Sequence, residues 1–131
     1  MVVGDLAVEL EGLGYANVQQ FALQEDPDTC VGLTPRDPGI GRGRTEYAFS
    51  QEAPARATFR VLVTVRGPVE DAEEPYDRAH AIWLALHRQL ATLNGVAYRT
   101  VAPLQTPTWL KQDARRRHLF FFHVDAVPET V

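Results

Sequence analysis

The chain has 131 residues, is 45% hydrophobic and 23% charged, and carries a formal net charge of −4. These values describe one globular domain with room for a single core. They exclude a bilayer-spanning segment, since no apolar run approaches the roughly 20 residues required, and no membrane partner is expected. The opening MVVGDLAVELEGLGY has no basic stretch ahead of its apolar residues, so no secretory leader is expected. One cysteine, Cys30, excludes an intramolecular disulfide, and its apolar setting, TCVGL, reads as a small buried thiol.

In chain order, Val2, Val3, Leu6, Ala7, Leu10 and Leu13 recur three and four apart, which predicts a short amphipathic helix stopped by Gly12 and Gly14. Residues 17–23 form a short strand, EDPD (25–28) a turn, and TCVGLT (29–34) a second strand. TFRVLVTVR alternates strictly, with Phe59, Val61, Val63 and Val65 on one face and Arg60, Leu62, Thr64 and Arg66 on the other, and Gly67-Pro68 ends it. A long helix over Pro75–Leu93 follows, with Ala79, Ile82, Trp83, Leu86, Leu90 and Leu93 as its apolar stripe, acids at its start and Asn94-Gly95 as its stop. Residues 95–104 form a strand, 105–116 a loop, and 117–127 a last strand. The class is α+β in the order α-β-β-β-α-β-β: a mainly antiparallel sheet of about five strands with two helices on one face, a single domain over 1–131. Leu62, Leu119 and Phe121 fall on the second face, which predicts an exposed apolar patch covered by oligomerisation.

Charge is segregated. Residues 1–30 hold six acids and no base, 67–77 five acids, and 78–117 seven bases against one acid. Head-to-tail contact between identical subunits needs opposed patches of this kind. The stretch GIGRGR lies in a long basic loop (35–55) between two strands. It has no helix after it and no Lys-Ser/Thr, so it is no phosphate cradle. An arm of this kind can order on a neighbouring subunit, with arginines forking onto acids such as Glu70, Asp71, Glu73 and Glu74.

Nothing in the residues spells out catalysis. Ser50 is the only serine and sits in no nucleophile elbow. His80 and His87 are seven apart, and His118 and His123 face opposite ways. The chain is therefore read as a non-enzyme, with no metal and no cofactor. Arg115, Arg116 and Arg117 form a second basic cluster, suited with Arg42 and Arg44 to sequence-independent phosphate contact.

Four phrases in order, EDPDTCVGLTPRDPGIGR, APARATFRVLVTVRG, PYDRAHAIWLALHRQLATLNGVAY and QTPTWLKQDARRRHLFFFHVDAV, resemble the tail terminator and minor capsid proteins of long-tailed bacteriophages over residues 1–127. The resemblance implies a non-enzymatic protein of the tail–neck junction of the virion. It would form a homo-hexameric ring that caps the tail tube, stops its polymerisation and meets the head-completion or connector protein. Non-specific DNA contact in the lumen is a further implied partnership. Carried onto matching positions, the interface residues are Arg66, Asp113, Arg117 and the 36–44 arm with Arg36, Arg42 and Arg44. Where the family places a glycine after Asp113, this chain has DARRR. Two other readings fit the same residues: a head-completion or connector protein, and a small nucleic-acid-binding protein.

Overall fold

The computed structural model describes residues 2–36, 58–87 and 92–129. Helix α1 spans Val2–Gly12, followed by β1 (Val18–Gln20), β2 (Cys30–Arg36) and β3 (Phe59–Val69). Helix α2 spans Glu73–His87, followed by β4 (Thr92–Leu93), β5 (Val96–Pro103), β6 (Thr108–Gln112) and β7 (Arg117–Pro128). The sheet runs β1-β2-β3-β7-β5-β4, with β6 paired to β7 off this path. Among the described strands only the β1–β2 pair is parallel. The α+β class and the mainly antiparallel sheet stand, with seven strands among the described residues in place of five.

Register explains the core. Val31 faces Val65, which faces Phe120; Leu33 faces Val63, which faces Phe122; Val61 faces Val124; and Val101 faces Ala126. Strand periodicity puts all of these on one side of the sheet. There they join Val3, Leu6 and Leu10 of α1 and Ala79, Ile82 and Leu86 of α2 in one buried cluster. Each such side chain contributes about 1.5–3 kcal/mol by leaving water. The two helices are tied in by polar contacts as well. The Tyr98 hydroxyl donates to Asp5 Oδ2 at 2.8 Å, joining β5 to α1. Burial and that carboxylate push the Tyr98 phenol well above its ordinary range.

Three expectations need correction. Gly67-Pro68 does not end β3: the register shifts between Arg66 and Val69, and Val69 pairs again with Arg117. The long helix does not reach Leu93. Leu93 pairs with Val96, and Asn94 (φ 53) and Gly95 (φ 75) form the turn of the β4–β5 hairpin, the role Asn-Gly takes between two strands. Leu93 is still buried, so the helical stripe carried the right residue on the wrong element. Leu90 and most of the 35–55 loop lie outside the described residues, while Pro35 and Arg36 belong to β2. Finally, residues 105–116 are not all loop, since β6 occupies 108–112.

Strands β5 and β6 lie end to end along one edge of β7, and the join falls at His123. Leu104 N–H donates to the His123 carbonyl (2.8 Å), and His123 N–H donates to Gln105 Oε1 (3.1 Å). That orientation turns the Gln105 amide nitrogen toward His123 Nδ1 at 3.0 Å, so the ring nitrogen must accept. Burial, then the Arg60 and Arg36 charges, hold the imidazole below its ordinary 6.5, against an opposing pull from Asp125.

Two predictions follow from these contacts. A Cβ at Gly67 would lie 2.5 Å from Pro75 Cδ, so Gly67→Ala forces β3 and the start of α2 apart. It should destabilise by about 1–3 kcal/mol in urea unfolding. His123 is held neutral by the fold, so the stability it contributes is present above pH 6.5 and is lost as pH falls through its depressed pKa. Unfolding midpoints of the wild type should decline across that window, and His123→Gln should flatten the decline.

Candidate assembly interface

At one end of the sheet, two arginines from adjacent strands turn inward. Arg66 on β3 is 4% exposed and Arg117 on β7 is 1% exposed. Arg66 donates through Nε to the Asp28 carbonyl (2.9 Å) and through Nη2 to the carbonyls of Gln24 (2.6 Å), Pro27 (2.7 Å) and Glu25 (3.3 Å). Arg117 donates through Nη1 to the Glu25 carbonyl (2.7 Å) and Asp28 Oδ1 (2.9 Å), and through Nε to Asp113 Oδ2 (2.9 Å). The loop 24–28, with its Asp26–Pro27 peptide cis, is thus held largely by guanidinium groups on its main-chain and carboxylate oxygens, with the Gln19 side chain bonding Gln24 and Asp26. Buried guanidinium groups are tolerable only when their donors are met, and here the loop meets them.

This loop also changes the second face of the sheet. Leu23, leading into it, packs over Gly32, where an added Cβ would come within 2.8 Å of Leu23 Cδ2. Leu119, expected to be exposed, is 5% exposed, and Leu62 and Phe121 are half-buried. The expected apolar patch is therefore largely covered by the chain itself. Arg60 and Asp125 finish that face with a two-pronged pair at 2.7 and 2.9 Å.

Asp113 builds the turn between β6 and β7. Its Oδ1 accepts from the Arg115 and Arg117 amides (2.9 and 3.0 Å). Burial pushes this carboxyl up, but the hydrogen bonds from Arg117 and Arg115 outweigh it and hold the group below its ordinary 3.8. Arg116 takes the left-handed conformation (φ 62) that glycine favours, which is how DARRR makes the turn without one.

Of the remaining predicted residues, all but Arg42 and Arg44 lie among the described ones. Arg115 lies 3.4 Å from Asp26, and Arg116 pairs with Glu70 at 3.1 Å. Asp71 caps α2, its Oδ1 accepting from the Glu73 and Glu74 amides at 3.1 Å. Glu74 pairs with Arg78 at 2.8 Å, and Glu73 is exposed. The structure thus gathers Arg66, Asp113, Arg115, Arg116, Arg117 and Glu70 at one end of the sheet. Arg36 stands at the end of β2, and Arg42 and Arg44 lie outside the described residues.

Sequence reasoning missed the most exposed strand among the described residues. All five residues of β6 are exposed, Trp109 at 53%. No face of TWLKQ is buried, so no alternation marks it as a strand. Its open edge is guarded against strand addition by the register shift between Trp109 and Lys111 and by Lys111 itself. Trp109 donates to His118 Nδ1 at 3.0 Å and stays at the surface. Among the described residues no cluster of three or more His, Cys, Asp or Glu is placed to hold a metal. Cys30 is buried, and that burial raises its thiol pKa despite nearby arginines.

Removing Arg117 strands the loop. Arg117→Leu should cost on the order of 3 kcal/mol and speed amide exchange around residues 24–28. The exposed Arg115→Ala should cost under about 1 kcal/mol in the same unfolding assay. Compared with protein-family profiles, with curated proteins and with solved structures, the chain matches none.

Proposed function

We propose that this chain is a non-enzymatic assembly protein of the neck of a long-tailed bacteriophage. In this reading it is a tail-terminator-like subunit that closes with its copies into a six-fold ring. The ring ends tail-tube polymerisation and joins the tail to the head connector. Its partners are further copies of itself, the tail-tube protein and the head-completion protein.

The observation that carries this reading is β6. A strand that buries none of its own residues adds little to the core, yet this one is paired along β7 with Trp109 and Leu110 facing solvent. Large apolar side chains presented on a rigid, edge-guarded element suit contact with another protein through side chains. Arginine use points the same way. Arg115, Arg116 and Arg117 each pair with a carboxylate of the same chain, so the cluster has little charge left for phosphate. This favours a protein partner over a nucleic-acid one.

Negative-stain electron microscopy of the purified protein, alone and mixed with a tail-tube protein, tests the reading. Six-fold rings, or tubes capped at one end and shortened, are expected. Tubes of unchanged length with no bound density at their ends would overturn it.

A further inference from the structure

A second surface, separate from β6 and its turn, runs along α2. Four rings stand four, three and four residues apart on one flank of the helix: Tyr76, His80, Trp83 and His87. Their centroids are 5.5, 5.6 and 4.8 Å apart in succession, the last pair stacked at 19°. Tyr76 extends the row onto the sheet through an edge contact with Phe120 at 5.5 Å. Two polar atoms in this row, His80 Nδ1 and Trp83 Nε1, are shielded from water and have no hydrogen-bond partner among the described residues.

The charges at the two ends of the row are opposite. Glu73 and Asp77, both exposed, lie beside Tyr76 at the start of α2. At the other end His87 and Arg99 line a shallow depression of about 120 Å³ against β5, and Arg99 is exposed. Among the described residues neither Asp77 nor Arg99 has an ion-pair partner. Leu84 adds exposed apolar surface between the ends, and Tyr76 adds more at the acidic end.

A surface that is acidic at one end, aromatic in the middle and basic at the other complements itself when turned by 180° about an axis across the helix. Acid then meets base at both ends, and the rings meet in the middle. No such match arises if two copies lie parallel, because acid would face acid. We propose that α2 is a two-fold contact surface on which a second copy of this chain packs antiparallel, the Glu73–Asp77 end of each against the His87–Arg99 end of the other. A two-fold contact is complete with two copies. It is therefore independent of a ring built through β6, and would join chains or whole rings back to back.

The test is a charge swap read by analytical ultracentrifugation of the full chain. Asp77→Lys and Arg99→Glu are surface changes, and circular dichroism should show each variant folded. Each alone places like charges opposite one another at both ends of the contact, so each should weaken dimerisation at least about tenfold at low salt. Combined in one chain they restore opposite pairs, and affinity should return to within about threefold of wild type. Three outcomes would overturn the proposal. One is single variants that dimerise like wild type, and another is a double variant as weak as the singles. The third is a wild-type chain still monomeric at about 1 mM, where even a feeble contact is half-populated. None of the three touches the capping of tubes, which stands or falls by microscopy.

Discussion

Two buried guanidinium groups anchor one whole end of the molecule. Arg66 and Arg117 reach from neighbouring strands to the main-chain oxygens of Gln24, Glu25, Pro27 and Asp28. Around them, Arg78 donates to the Arg66 carbonyl at 2.8 Å while pairing with Glu74, so the start of α2 is tied to the same knot. Asp113 holds Arg117 from the other side and shapes the β6–β7 turn in doing so. The loop, the second helix, the turn and the exposed strand therefore share one set of charged hydrogen bonds. Since a buried charge with an absent partner is costly, these elements are coupled: each supplies what another would lack.

That coupling explains what was legible in the sequence and what was not. The alternation Val61, Val63, Val65 and the later Phe120, Phe122, Val124, Ala126 identified the core face directly, because a strand leaves no choice about which residues share a side. The apolar stripe of Ala79, Ile82 and Leu86 did the same for α2. Arg66 and Arg117 misled for a physical reason. An arginine at a strand end reads as a solvent-facing charge, and nothing local announces main-chain oxygens arriving from a turn about forty residues before Arg66 and about ninety before Arg117. Asp5 behaves likewise, an acid on the buried side of α1 whose partner Tyr98 is far along the chain. Long-range polar pairing is invisible to periodicity, whereas apolar burial is not.

The secondary-structure boundaries that shifted also have one cause. Asn94-Gly95 satisfies a helix stop and a hairpin turn equally well, and only the presence of Thr92 and Leu93 opposite Val96 and Ala97 selects the hairpin. Gly67 reads as a strand breaker until Pro75 is seen lying against it. Gly67 serves a close approach and Asn94-Gly95 a left-handed turn, and local preference reveals neither role.

Because β6 takes part in the sheet through β7 and keeps its own side chains out of the interior, its identity is nearly free of the demands of stability. Substitutions there leave the buried cluster intact, while the guarded edge and the Asp113 turn keep the strand in place. A lineage can therefore rewrite the five positions Thr108 to Gln112 to follow a changing partner without re-solving the fold. In the proposed reading, the surface offered to a partner is the described element with the greatest room to diverge.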